Sequence, residues 1–194
     1  MKHFKENKIL KQEALEVLKD KWEIAVLAGV LYIFISFLAS KALFIFSVLI
    51  SAPLMVGVAM FYLALSRGET PEVFSIFKYF NNRFATYLFA YVISIVKIIL
   101  WSILLIVPGI IAALAYSQLF FILAEDNSIK ANEAIEKSKK LMMGNKWKYF
   151  KLVLSFIGWF ILSVLTFGLG FFLLIPYVYV AQAKFYDDLK KHHN

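Results

Sequence analysis

Long stretches almost free of charge divide this chain into blocks, and that alternation limits what it can fold into more than any single motif. It carries 21 basic and 13 acidic side chains, and all of them except Lys41 and Lys97 fall within 1–23, 66–83, 125–151 or 184–194. The apolar runs between cover 24–39, 42–65, 84–107, 110–124, 149–167 and 169–183. A helix crossing a ~30 Å hydrocarbon layer needs ~20 mostly apolar residues, and shorter runs gain reach from flanking aromatics and lysine stems. The pattern predicts an all-α polytopic membrane bundle: six transmembrane helices in three hairpins, within a single integral domain spanning 1–194. A hydrophobic content of 61% and a mean hydropathy of +0.73 exceed what one aqueous core of this size could bury.

The net charge of +8 would suggest nucleic acid in a soluble chain, but its placement argues for a membrane instead. All four polar segments fall on one predicted side, while the opposite side receives three short connections whose only charge is Lys41. Cytoplasmic loops retain Lys and Arg, so both termini are expected in the cytoplasm and anionic lipid head groups are the expected partners, with no nucleic acid. Trp22, Trp101, Trp147 and Tyr149 sit near predicted helix ends, as interfacial anchors do. The first apolar run follows 23 polar residues and leads almost directly into a second, which disfavours a cleaved signal peptide.

Each hairpin follows a polar stretch with helical periodicity, so the chain reads as three rough copies of one unit at 1–67, 68–127 and 128–194. In the first, Leu10, Ala14, Val17, Leu18 and Trp22 make an apolar stripe. In the second, Thr70 is placed to cap and Pro71 to take the first helical position, with Val73, Ile76, Phe77 and Phe80 as the stripe. In the third, Ala134, Ile135, Ser138, Leu141 and Met142 form the face and Gly144 the stop. All three are expected to lie as amphipathic helices at the cytoplasmic interface. Pro53, Pro108 and Pro176 recur in order inside the runs and predict helix breaks or kinks, because proline removes a backbone donor. Pairs of small residues (Ala25 with Gly29, Gly109 with Ala113, Ser155 with Gly158) predict close helix packing.

From residue 100 onward the fragments have a specific order and spacing: Leu100-Trp101, Ile106-Val107-Pro108-Gly109-Ile110, Ala115-Tyr116-Ser117 and Ile122-Leu123-Ala124-Glu125-Asp126. Ala131-Asn132-Glu133-Ala134-Ile135, Ser138-Lys139-Lys140-Leu141-Met142 and Gly144-Asn145-Lys146-Trp147 continue it. Leu165-Thr166-Phe167-Gly168-Leu169-Gly170, Ile175-Pro176-Tyr177 and Ala183-Lys184-Phe185-Tyr186 close it. This series resembles the bacterial membrane-protein family catalogued as domain of unknown function 975. Pro53-Leu54 with Gly57, Arg67-Gly68-Glu69 and Phe77 also fit the resemblance, and Lys130 departs from it where the family more often has a small capping residue. The resemblance implies a multi-span protein of the bacterial cytoplasmic membrane and supplies no activity. A looser likeness to membrane domains attached to some glycerophosphodiester phosphodiesterases points to lipid-related work by association alone.

The apolar runs contain no Asp, Glu, His or Cys, so catalysis inside the membrane lacks its usual acid/base, nucleophile or metal. No cofactor and no metal are expected; His3, His192 and His193 read as tail residues. Glu125-Asp126 and Asp187-Asp188 are adjacent pairs whose side chains diverge by ~100° on a helix, and Glu125-Asp126 reads as the end of a span and the start of a turn. Lys97 stands apart, 14 residues beyond Arg83 in the third run. An ionisable residue at that depth costs ~3 kcal/mol on insertion scales, so it is a functional candidate. We place it in a polar crevice with Tyr116, Gln118, Tyr177 and Gln182, with Ser94, Ser117 and Tyr179 as further companions. The basic residues best placed for anionic head groups are Lys137, Lys139, Lys140, Lys146, Lys148 and Lys151.

The sequence therefore favours a non-enzymatic membrane component that engages lipid or a membrane protein partner. The rivals are a small transporter or export accessory with a midplane site near Lys97 and the proline-broken helices, and an interfacial enzyme acting on lipid head groups through Glu125, Asp126, Asp187 and Asp188.

Overall fold

A computed structural model describes residues 4–41, 44–81 and 83–193, and for 44 and 45 the backbone only. His3 and residues 42–43, where the first short connection is expected, lie outside the described residues. These residues are 82% helical and contain no strand. The helices are α1 (Asn7–Leu18), α2 (Trp22–Lys41), α3 (Phe44–Ser66), α4 (Phe84–Leu104), α5 (Ile106–Tyr116), α6 (Leu119–Glu125), α7 (Ala131–Met142), α8 (Lys146–Leu154), α9 (Ile157–Leu165) and α10 (Phe171–His193), with a 3₁₀ helix at Val73–Tyr79.

Five stretches are long and apolar enough to cross a membrane: Trp22–Lys41, Phe46–Ser66, Phe84–Leu104, Ile106–Glu125 and Lys146–Leu165. The fourth joins α5 to α6 and the fifth joins α8 to α9. α10 falls short of that measure because Lys184, Asp187, Asp188, Lys190 and Lys191 occupy its second half.

The core is built on α3. From Ala52 to Ser66 this helix is buried on nearly every side, whereas α2 and α4 leave most of their apolar surface open. A helix that is apolar all round needs cover all round, and α3 receives it from α1, α2, α4, α6, α10 and the 3₁₀ helix. At Gly57 the 3₁₀ helix comes so close that a Cβ would lie 1.9 Å from the Ile76 carbonyl oxygen, so only glycine fits there. Away from this core the hairpin ends are bare. Ile103, Leu104, Leu105 and Ile106 are all exposed at the α4–α5 turn, as are Leu165, Phe167 and Leu169 at the α9–α10 turn. That distribution suits lipid, which can cover apolar side chains that water would not.

Serine and glycine set both of these hairpins. A Cβ on Gly109 would sit 2.0 Å from Ser102 Oγ, and one on Gly170 would sit 2.6 Å from Ser163 Oγ. The two helices of each pair thus approach at the same seven-residue offset. Gly29 packs against the Tyr62 hydroxyl as a small residue should, but Gly158 has open space where a Cβ would go.

The three expected surface helices fare differently. α1 buries Leu10, Ala14 and Leu18 completely, each leucine contributing about 2 kcal/mol of burial. α7 buries all five residues of its expected face, and Gly144 follows it with φ +76°. The Glu133 carboxylate accepts the Lys130 N–H at 3.5 Å, so the helix starts despite the unfavourable lysine. The second surface element is a 3₁₀ helix that starts after Glu72, not an α-helix capped by Thr70. It buries Ile76 and Tyr79, while Phe74, Phe77 and Phe80 form an exposed row with ring centroids 6.4 and 6.1 Å apart. Residues three apart eclipse in a 3₁₀ helix, which moves Phe77 and Phe80 off the buried face.

The prolines do not break helices. α3 continues through Pro53 and α10 through Pro176, while Pro108 lies in the first turn of α5, where an N–H would have no helical acceptor. The interruptions occur instead at Ser117–Gln118 and Ser155–Phe156. There the Ser117 hydroxyl donates to the Leu114 carbonyl at 2.9 Å and the Ser155 hydroxyl to Leu152 at 2.7 Å. Such back-bonding competes with the helix ladder and bends it.

Candidate functional site

Two clusters of charge and two neighbouring cavities bring the sequence candidates together. At the polar end of α3, Arg67 donates to Glu125 at 2.6 Å and to Asp187 at 2.7 Å. Glu125 also accepts from Lys190 at 2.6 Å and from the Tyr186 hydroxyl at 2.8 Å. Hydrogen bonding to Asp187 and then Glu125 pushes the Arg67 guanidinium above its already high range, and burial pushes the Tyr186 phenol up. The cluster ties α3, α6 and α10 into one end-piece.

Beside it, Asp188 is nearly fully buried and receives Lys148 at 2.9 Å and the Lys5 backbone N–H at 3.1 Å. The Lys148 ammonium also lies over the rings of Phe4 and Phe185, at 4.7 and 5.4 Å from their centroids. Lys148 is therefore committed inside the fold and is not a free cation for head groups. Asp126 closes a turn by accepting from Ser128 N–H and Oγ–H and from Ile129 N–H. The Ser128 hydroxyl bond, foremost, holds the Asp126 carboxyl below its ordinary value. The C-terminus is not a loose tail: α10 runs to His193, and His192 stacks on Phe4 at 4.3 Å. Among the described residues no group of three or more His, Asp or Glu is placed to hold a metal.

The residues expected together in one polar crevice are divided, and Tyr116 and Gln182 line a tyrosine-rich crevice without Lys97. A cavity of about 400 Å³ opens between α3, α4, α5, α8 and α10, lined by Tyr91, Tyr116, Tyr149 and Tyr179. Ser94, Ser117 and Gln182 add further polar groups. Tyr177 faces a separate apolar cavity of about 520 Å³ beside Trp22 and Trp159, and Gln118 is fully buried with its amide donating to Ser117 Oγ at 2.9 Å. Lys97 does not line the crevice either. α7 packs along α4 and α5, the Ser138 hydroxyl donating to the Ala115 carbonyl at 2.8 Å. That brings Glu136 close enough for Lys97 to influence it. The Glu136 carboxyl is held below its ordinary value chiefly by its hydrogen bond to Lys139, with Lys97 and Lys140 adding to the effect. The sequence reading lays α7 flat on the membrane surface and so does not anticipate Glu136 on the side of hairpin two.

The second cavity is a groove of about 410 Å³ between hairpin two and the α7–α8 junction. Trp101, Pro108, Ile111 and Ala112 supply apolar walls, and Lys139 and Lys146 supply two cations. Lys139 pairs with Glu136 at 2.7 Å and lies 6.0 Å from the Tyr116 ring centroid. Lys146 has no ion pair among the described residues, and neither do Lys137, Lys140 and Lys151, which lie exposed nearby in sequence. The groove thus pairs an apolar wall with unspent positive charge. Two of the six lysines expected at head groups, Lys139 and Lys146, line it; a third, Lys148, is spent on Asp188.

No curated protein and no solved structure matches this chain. The family described as "Protein of unknown function (DUF975)" matches residues 92–193, more than half of the sequence and the part that supplies α5 to α10 and most of α4. Pro53, Gly57 and Arg67 lie upstream of that match. With most of hairpin two and all of α7 and the closing helix inside it, the chain belongs to the DUF975 family.

Proposed function

We propose that this chain is a non-enzymatic multi-pass protein of the bacterial cytoplasmic membrane that binds anionic lipid in the groove beside Lys139 and Lys146. In this reading the apolar half of α10, 171–183, provides a sixth crossing. Both termini then lie in the cytoplasm with the basic segments, as the retention of Lys and Arg on that side requires. The observation that carries the reading is the groove: an amphiphile needs apolar cover for its chains next to cations for its phosphate, and Trp101, Pro108 and Ile111 adjoin Lys139 and Lys146.

The carboxylates support the non-enzymatic part. Glu125, Asp187 and Asp188 are held by Arg67, Lys190 and Lys148, and Asp126 by its turn, so none is left as a ready general base. The transporter alternative loses the broken helices it relied on, because α3 and α10 are continuous through their prolines.

The test is hydrogen exchange in nanodiscs of matched acyl composition. Residues 128–151 should be protected more in anionic than in zwitterionic bilayers, and replacing Lys139 and Lys146 by glutamine should remove about 2 kcal/mol of that preference. Equal protection in the two bilayers would sink the proposal.

A further inference from the structure

The lysine groove and the tyrosine crevice adjoin at one side chain. Tyr116 lines both, standing at the end of α5 immediately before the Ser117–Gln118 interruption. On the groove side the Lys139 ammonium lies over its ring. On the crevice side the lining carries hydroxyl and amide groups and no charged residue. Among the described residues, Tyr91 and Tyr116 hydroxyls and the Gln182 amide have no hydrogen-bond partner, whereas Ser94 and Ser117 already donate to the Tyr91 and Leu114 carbonyls. In a half-open cavity these polar groups take their partners from water or from a ligand.

We infer that groove and crevice form one bipartite site for an anionic phospholipid whose head group carries free hydroxyls beyond the phosphate, a phosphatidylglycerol-type lipid. This rests on the anionic-lipid reading above and names the lipid class. Lys139 and Lys146 take the phosphodiester, and the walls at Trp101, Pro108 and Ile111 take the start of an acyl chain. The head-group hydroxyls pass Tyr116 and meet Tyr91, Gln182 and Tyr116 itself. A charged head such as serine would bring an ammonium and a carboxylate into a crevice that offers no counter-charge, and a bare phosphate monoester would leave the crevice unsatisfied. Selectivity therefore comes from the crevice and charge preference from the groove.

The experiment is native mass spectrometry of the full chain exchanged with phosphatidylglycerol, phosphatidic acid or phosphatidylcholine of identical chains. The wild type should retain phosphatidylglycerol several-fold more than phosphatidic acid, the scale of one or two added hydrogen bonds, and both more than phosphatidylcholine. Tyr91→Phe with Gln182→Leu should erase the first difference and keep the second. Equal retention of the two anionic lipids by the wild type, or a preference unchanged in the double variant, overturns the inference and leaves the anionic-lipid reading standing. Equal retention of all three overturns both. The wild-type comparison needs no variant to fold.

Discussion

Arg67, Glu125, Asp187 and Lys190 are paired with one another, whereas around Lys139 and Lys146 the cations outnumber the carboxylates near them. Both regions are built from surface segments of similar composition, so the difference lies in where the helices bring them. α3, α6 and α10 converge and set Arg67 between Glu125 and Asp187, with Lys190 completing the set. α7 instead packs along hairpin two, where among the described residues the one ion pair its lysines make is Lys139 with the exposed Glu136. Charge that is paired inside a fold contributes to its assembly; charge that is left over is available to a ligand. The same contrast separates Lys148, held by Asp188 between two rings, from Lys146 two residues earlier.

The sharpest way to break this comparison is Arg67→Leu. It leaves Glu125 and Asp187 facing one another at a partly buried site, and should cost about 2 kcal/mol, lowering the thermal midpoint in detergent by roughly 5 °C. An unchanged midpoint would mean the cluster is ornamental. Asp188→Asn should come next, at about 1 kcal/mol, because a neutral acceptor still meets the Lys5 N–H while Lys148 loses its counter-charge.

Lys139→Gln with Lys146→Gln should change the midpoint by less than about 0.5 kcal/mol equivalent, since one lysine pairs only with an exposed partner and the other with none. A large destabilisation would place these lysines with the structural set. The smallest effect should be at Asp126. Its folded carboxyl titrates below its unfolded value, so the turn gains stability above the unfolded range and loses it as pH falls through the folded one. Amide exchange at Ser128 and Ile129 should rise under acid, and Asp126→Asn should flatten that rise.

Much of this was legible in the sequence. The α7 face was read residue for residue because four apolar residues and Ser138 at helical spacing against lysines leave one solution, and Gly144 marked its end. Glu125-Asp126 ended a helix and opened a turn as their composition suggests. The 3₁₀ helix was misread because periods of 3.0 and 3.6 cannot be separated over seven residues rich in phenylalanine. Pro53 and Pro176 do not break their helices because a helix tolerates one lost hydrogen bond when its neighbours hold it, while the interruptions fall at Ser117–Gln118 and Ser155–Phe156, which carry no proline. The crevice was half legible: its tyrosines and Gln182 were polar exceptions in apolar runs. The placing of Glu136 on the side of hairpin two was not, since it comes from packing between α4 and α7, which no local pattern encodes.

The central claim, that Lys139 and Lys146 are cations kept for a lipid, is tested most directly by counting bound anionic phospholipid on the wild type and on Lys139→Gln/Lys146→Gln in native mass spectrometry, with Arg67→Leu as the comparison. The account predicts more than tenfold weaker retention in the lysine double variant at an unchanged midpoint, about 1 kcal/mol for each lysine, and retained lipid on whatever fraction of Arg67→Leu stays folded. Full retention after both lysines are removed would contradict it.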